Sequence, residues 1–153
     1  MRITLTTLQQ HVKNNNKFSV LTCYDATFAK ILEGAGVDVL LVGDSLGNVL
    51  KGESTTLSVT LDDMIYHTRC VSSGSNRALI MADMPFGSYQ QSPQQAFDNA
   101  SKILAAGAHM VKIEGGQVMA ETTAFLTQRG IPVCAHIGLM PQSIHQLGGY
   151  KLQ

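Results

Sequence analysis

The chain has 153 residues, with 11 basic and 11 acidic side chains and a formal net charge of zero. Hydrophobic residues make up 44% and charged residues 14%, the composition of a folded chain with a sizeable core rather than a disordered one. Balanced charge argues against nucleic acid as a partner, which needs a basic face, and no apolar run is long enough to cross a membrane. The length suggests one domain. Cys23, Cys70 and Cys134 are widely spaced and contain no CxxC pair, so zinc or a redox dithiol is not expected. Cys23 and Cys134 lie in apolar runs and are expected to be small core residues. With no signal peptide pattern, a reducing cytoplasm is the expected setting.

Residues 4–13 are predicted to form a short leading helix. Phe18 to Cys23 is apolar enough for a first strand, and Asp25 stands where a helix N-cap would, ahead of the pattern Phe28, Ile31, Leu32. That helix is expected to stop at Gly34 or Gly36. Val37 to Val42 is the second predicted strand, and residues 46–59 are expected to be a long loop. Thr60 caps a helix reaching about Ser72, and residues 73–76 form a turn. Ala78 to Ala82 is the third strand. Ser92, Pro93 and Gln95 occupy the N-cap, N1 and N3 positions of a helix that turns Ala96, Phe97, Ala100, Ile103 and Leu104 inward. His109 to Ile113 is the fourth strand, Val118 to Arg129 a helix closed by Gly130, and Ile131 to Ala135 the fifth strand. Residues 138–153 are expected to be loop.

The unit repeats. Gly36 leads into the second strand, Gly107 into the fourth and Gly130 into the fifth, and strand alternates with helix throughout. Such an array is a parallel α/β fold, either an open doubly wound sheet or the front of a (β/α)8 barrel. A complete barrel needs about 250 residues, and the last residues, Gly148 to Gln153, look like a loop with no closing helix. The expected fold class is therefore an α/β (β/α)8 TIM barrel of which the chain holds about the first five strands. Residues 1–153 are then one incomplete domain, the N-terminal portion of that barrel.

Three of the strands end on an acid: Leu40-Leu41-Val42-Gly43-Asp44, Leu79-Ile80-Met81-Ala82-Asp83 and Met110-Val111-Lys112-Ile113-Glu114. A carboxylate at the end of a buried strand costs several kcal/mol to desolvate unless it is paired or bound to a metal. Parallel strands would gather Asp44, Asp83 and Glu114 at the C-terminal rim, where α/β folds place their chemistry. An oxygen-only ligand set favours a hard cation such as Mg2+ over zinc. The acids could instead cap the following helices or pair with Lys112. Lys112 lies two residues before Glu114, so both point to one face, and its ammonium suits a ligand carboxylate. Ser45 offers a hydroxyl and an amide to an anion. His136, ending the fifth strand, is a candidate for a hydrogen bond to substrate. No phosphate-binding loop, dinucleotide fingerprint or serine nucleophile motif is present.

These segments carry a resemblance. Thr22-Cys23-Tyr24-Asp25, the string from Leu41 to Gly47, Ala82-Asp83-Met84-Pro85-Phe86, the string from Met110 to Gly116 and that from His136 to Gln142 closely resemble the ketopantoate hydroxymethyltransferase family across nearly the whole chain. The resemblance implies a Mg2+-dependent barrel enzyme of pantothenate biosynthesis that assembles as a homo-oligomer, usually a decamer. It acts on a small 2-oxoacid, 3-methyl-2-oxobutanoate, with 5,10-methylenetetrahydrofolate as co-substrate. Asp44, Asp83 and Glu114 match the family's metal positions, and Asp44, Ser45, Asp83 and Lys112 match its 2-oxoacid contacts. The family's general base is a glutamate that would fall beyond residue 153, so no catalytic base is expected within the chain. Two rivals stand beside this reading: a Mg2+-dependent lyase or mutase of the phosphoenolpyruvate mutase and isocitrate lyase type, and an inactive partial barrel acting only by association.

Overall fold

The computed structural model describes residues 1–149; the expected final loop from Gly148 therefore lies, from Tyr150 onward, outside the described residues. A single five-stranded parallel sheet runs in the order β1-β2-β3-β4-β5, formed by Val20–Thr22, Val39–Val42, Leu79–Asp83, Met110–Glu114 and Val133–His136. Helix α1, Leu5–Lys13, precedes the sheet. Helix α2, Ala26–Gly34, follows β1, and β2 leads into a short helix α3, Leu46–Val49, and then α4, Leu61–Gly74. Helix α5, Pro93–Ala105, joins β3 to β4, and α6, Ala120–Thr127, joins β4 to β5. After β5 come a 3-10 turn, Pro141–Ser143, and helix α7, Ile144–Leu147.

The expected caps form. Asp25 accepts from the Phe28 amide at 2.9 Å, Thr60 and Asp63 make a reciprocal capping box, and Ser92 accepts from the Gln95 amide. The strand positions also agree, with β3, β4 and β5 each reaching one residue further than expected, to Asp83, Glu114 and His136.

The sheet has two differently covered faces. Leu40, Val42, Ile80, Ala82, Val111 and Ile113 point to the layer of helices and pack with Met64 and Val71 of α4, Ala100 and Ile103 of α5 and Leu126 of α6. Val39, Leu79, Met81 and Met110 point the other way and meet Leu8 of α1. That second face is only partly filled, leaving a cavity of about 600 Å³ between α1 and the sheet. Burial of one face under helices and retention of an inner face is how β/α barrels are built.

Several expectations change. Residues 46–59 begin with the helical turn α3, because Leu46 and Gly47 are buried against the core rather than looped out. Helix α4 runs through the expected turn at Ser73 as far as Gly74, whose missing side chain lets the backbone of Ala26 approach; a Cβ there would stand 2.3 Å from the Ala26 carbonyl oxygen. In α2 the buried residue is Ala29, while Phe28 and Ile31 are 58% and 57% exposed, since α2 lies beside the edge strand and packs chiefly on α4. The expected helix from Val118 is a 3-10 turn, Gly116–Met119, before α6 proper. The stretch after β5 is not plain loop either, and it delivers a buried side chain to the rim. Of the two cysteines expected in the core, Cys23 is buried and Cys134 half-buried, and Cys134 packs on the inner face.

Glu33, in the last turn of α2, ties that helix to the segment leading into β3. Its carboxylate accepts from the Ser75 hydroxyl at 2.6 Å and from the amides of Asn76, Arg77 and Ala78. Partial burial opposes ionisation, but these donors outweigh it and lower the carboxyl from 4.5 to about 2. A depressed carboxyl stabilises the fold above its ordinary value, and that stability is lost as pH falls through about 2. Glu33→Gln is therefore expected to cost about 1–3 kcal/mol near neutral pH. Denaturant unfolding of both proteins between pH 7 and pH 2 checks this: the gap between them should close below the ordinary carboxyl value, and a gap independent of pH would refute it.

Candidate active site

Strand pleat and register place the polar cluster. In β3 the inner face runs Leu79, Met81, Asp83, and in β4 it runs Met110, Lys112, Glu114. Asp83 pairs with Lys112 in register, and Glu114 with His136. Asp44 follows β2 after Gly43. At Gly43 a Cβ would stand 2.8 Å from the Ser45 hydroxyl, so a side chain there would force Ser45 to turn, and 3.5 Å from Asp83 Oδ2, an ordinary contact.

The four charged groups make one assembly. Lys112 Nζ donates to Asp83 Oδ1 at 2.6 Å, and the Asp44 amide donates to Asp83 Oδ2 at 3.1 Å. Asp44, Asp83 and Glu114 are all buried. Desolvation, followed by the negative charge of Asp83, pushes the Asp44 carboxyl up to about 6. Burial likewise raises Glu114. For Lys112, burial works against the cation, but attraction to Asp83 outweighs it and the ammonium is held above its ordinary value. Two of the expected anion contacts also sit at this rim. Ser45 is half-buried with its hydroxyl 2.7 Å from the Tyr24 hydroxyl, and the His67 ring engages the Tyr24 carbonyl at 2.8 Å. His136 reaches the rim, but its Nε2 is taken by the Leu139 carbonyl at 2.6 Å.

Gln142 completes the cluster, and sequence reasoning assigned it no role. It is buried, and its Nε2 donates to Asp44 Oδ2 at 2.8 Å and to the Met84 carbonyl at 2.9 Å. Its Oε1 accepts from the Tyr89 hydroxyl at 2.7 Å and from Gln90 Nε2 at 3.1 Å. Its backbone amide donates to Glu114 Oε2 at 3.2 Å. Two acceptors face the NH2 and two donors face the oxygen, so this amide has one workable orientation. Tyr89 was missed as well: it is buried and also accepts from the Glu114 amide at 3.0 Å. The only sequence signal for Gln142 was its place in the family-like string from His136; Tyr89 had none.

Among the described residues, no three His, Cys, Asp or Glu side chains already surround one point as metal ligands. The donor chemistry nevertheless fits a hard cation. Three buried carboxylates against one ammonium leave an excess of two negative charges when all are ionised. Such an excess is costly in a low-dielectric site, and a divalent ion with oxygen ligands relieves it.

Comparison with known proteins defines the class first. The fold matches a 2,3-dimethylmalate lyase, a member of the phosphoenolpyruvate mutase and isocitrate lyase superfamily, with a TM-score of 0.66 and 20% identity, over 98% of this chain and 55% of that one. It also matches a phosphonopyruvate hydrolase solved with oxalate and Mg2+, with a TM-score of 0.65 and 15% identity, over 84% of this chain and 50% of that one. At such identity the likeness is one of fold: five strands of a β/α barrel. The sequence is more particular. The profile described as ketopantoate hydroxymethyltransferase matches residues 2–153, and the chain belongs to that family, a family of transferases. It is 69% identical to a 3-methyl-2-oxobutanoate hydroxymethyltransferase of Nitrosomonas europaea, covering 99% of this chain and 56% of that protein. It is 67% identical to the enzyme of the same name from Nitrosospira multiformis, covering 100% of this chain and 58% of that protein. The chain thus spans somewhat over half the length of these relatives. No helix among the described residues is long and apolar enough to cross a membrane.

Removing the Gln142 amide exposes its importance. Gln142→Leu leaves Asp44, the Met84 carbonyl and the Tyr89 hydroxyl short of partners and is expected to lower stability by about 2–3 kcal/mol. Gln142→Glu adds a fourth acid, so its destabilisation should be larger at pH 8 than at pH 5, where the new carboxyl takes up a proton and can donate to Asp44. Denaturant midpoints at the two pH values check both expectations, and an unperturbed Gln142→Leu protein would refute them.

Proposed function

We propose that these residues form the metal- and carboxylate-binding part of a 3-methyl-2-oxobutanoate hydroxymethyltransferase. In this reading the enzyme enolises 3-methyl-2-oxobutanoate and joins it to the one-carbon unit of 5,10-methylenetetrahydrofolate, giving 2-dehydropantoate. The observation that carries the proposal is the buried group of Asp44, Asp83, Glu114 and Lys112 at the C-terminal rim, in a chain 69% identical to an enzyme of that name. The lyase or mutase alternative shares the fold, but a 2,3-dimethylmalate lyase of that type is only 21% identical and leaves the sequence strings unexplained.

Asp44 and Asp83 would hold Mg2+ directly or through water, with Glu114 beside them. Bound there, Mg2+ supplies Lewis-acid stabilisation of the negative charge that develops on the keto oxygen. Lys112 and the hydroxyl and amide of Ser45 hold the substrate carboxylate, Lys112 shifting part of its attraction from Asp83 to the ligand. His136, anchored to its own loop, offers at most a peripheral contact. The C3 proton passes to a base outside these 153 residues, expected to be a glutamate. Water adds to the methylene carbon and both of its carbon–nitrogen bonds break, the two nitrogens of the carrier taking up the protons, so that the one-carbon unit is freed as formaldehyde; the C3 carbanion then adds to that carbonyl carbon, and its oxygen takes up a proton to become the hydroxyl. Residues 1–153 are then one domain, the first part of the barrel. A homo-oligomeric assembly and a cytoplasmic setting belong to the same reading, and the three cysteines are all unpaired.

Two outcomes follow for a protein of the relatives' full length that carries these residues. Lys112→Ala should weaken 3-methyl-2-oxobutanoate binding at least roughly tenfold, since a charge-assisted hydrogen bond contributes about 1.5–3 kcal/mol. Isothermal titration checks this, and unchanged affinity removes Lys112 from the site. Protons compete with the cation for Asp44, so Mg2+ affinity should rise as pH passes upward through about 6. Titration of Mn2+ by electron spin resonance between pH 5 and pH 7.5 measures it, and an affinity flat with pH would count against Asp44 as a ligand.

A further inference from the structure

The stretch after β5 is held down by a polar anchor. Between Ile137 and Gly149 the one buried residue is Gln142; Ile137 and Leu139 are exposed, and α7 buries no residue. A surface segment that docks on its own account puts an apolar side chain into the core. This one puts in an amide. Among the described residues, every hydrogen bond from residues 140–149 to the rest of the chain runs through Gln142. Its Nε2 reaches Asp44 and the Met84 carbonyl, its Oε1 accepts from Tyr89 and Gln90, and its backbone amide donates to Glu114. The stretch is thus fastened to the acid cluster and its immediate neighbours.

The oxygens of the three acids are not engaged alike. Asp83 has both occupied, Oδ1 by Lys112 and Oδ2 by the Asp44 amide. Asp44 and Glu114 each have one occupied, Oδ2 and Oε2, and in both cases the donor is Gln142. Asp44 Oδ1 and Glu114 Oε1 accept no hydrogen bond among the described residues. A carboxylate with one oxygen tied by an amide and the other left open is how an outer donor orients a ligand toward an ion. The Gln142 amide is itself locked, since Tyr89 and Gln90 both donate to its oxygen.

We infer that Gln142 positions Asp44 and Glu114 for a divalent cation, and that ion binding and docking of residues 138–147 therefore strengthen each other. The inference rests on the metal reading above and adds to it an orienting residue and a coupled segment. With Gln142 withdrawn, both carboxylates are free to turn about their last bonds, and ordering them again falls to the ion. Undocking from an occupied cluster then costs more than undocking from an empty one. Such coupling is reciprocal: the factor that docking adds to ion affinity, the ion adds to docking.

The test uses a protein of the relatives' full length that carries these 153 residues. Mn2+ is titrated by electron spin resonance into wild type, Gln142→Leu and Glu33→Gln, the last losing hydrogen bonds at the opposite end of the sheet. The expected result is an Mn2+ dissociation constant raised roughly 10–100-fold in Gln142→Leu and within about twofold of wild type in Glu33→Gln. An equal loss in both variants would overturn the inference, because the effect would then be one of general stability. Hydrogen exchange of wild type decides the matter even where Gln142→Leu does not fold. Saturating Mg2+ should slow amide exchange in the peptide spanning residues 138–147 by roughly tenfold or more, and exchange that Mg2+ leaves unchanged or quickens would overturn the coupling. Wild type that binds no Mn2+ removes the metal reading and this inference with it. Wild type and Gln142→Leu that bind Mn2+ equally well remove the inference alone.

Discussion

The two-residue period of the parallel strands is the constraint on which the rest depends. In β3 and β4 it commits alternate residues to helix-covered and inner faces, and it commits Asp83, Lys112 and Glu114 to the inner face along with Leu79, Met81 and Met110. A slip of one residue would turn the acids into the helix layer and send Ile80, Ala82, Val111 and Ile113 to the inner face. The same alternation that fills the core therefore fixes the rim. Pairing of Asp83 with Lys112 across neighbouring strands is a direct result of that register.

The two ends of the sheet treat a carboxylate in opposite ways. At the N-terminal end Glu33 receives a hydroxyl and three amides, and its charge is so well met that the group stays ionised down to about pH 2. At the C-terminal end Asp44 receives one amide from Gln142 and stands near two other acids, and its carboxyl rises to about 6. The first arrangement holds α2 to the segment that leads into β3. The second keeps negative charge under-satisfied, which costs stability in the free protein and leaves attraction to spare for a cation. Lys112 and Gln142 limit that cost without cancelling it.

Much of this was legible in the sequence, for a local reason. Strand ends, caps and glycine punctuation depend on neighbours a few residues away, so Thr60, Ser92 and Asp25 fell into their caps and the strand-end acids converged. The family strings added residue identities that local patterns alone left open between metal binding and pairing. What escaped depends on distance along the chain. Gln142 lies 98 residues from Asp44, and nothing near it in sequence marks it as buried. Phe28 and Ile31 show the reverse error: the spacing is that of a core stripe, but the neighbours on that side of α2 are few, and both stay in contact with solvent. Tyr89, in a turn of small polar residues, gave no periodic signal at all.

The long reach of Gln142 has a consequence for how the chain is made. Synthesis delivers Asp44, Asp83 and Glu114 well before the residue that joins Asp44 to Glu114. A nascent chain ending short of β5 holds three acids against one lysine without the Gln142 amides that join Asp44 to Glu114. Its helix-facing core can already condense, because those contacts link elements close in sequence. The apolar layer thus precedes the link between Asp44 and Glu114, which forms only once the stretch after β5 has left the ribosome.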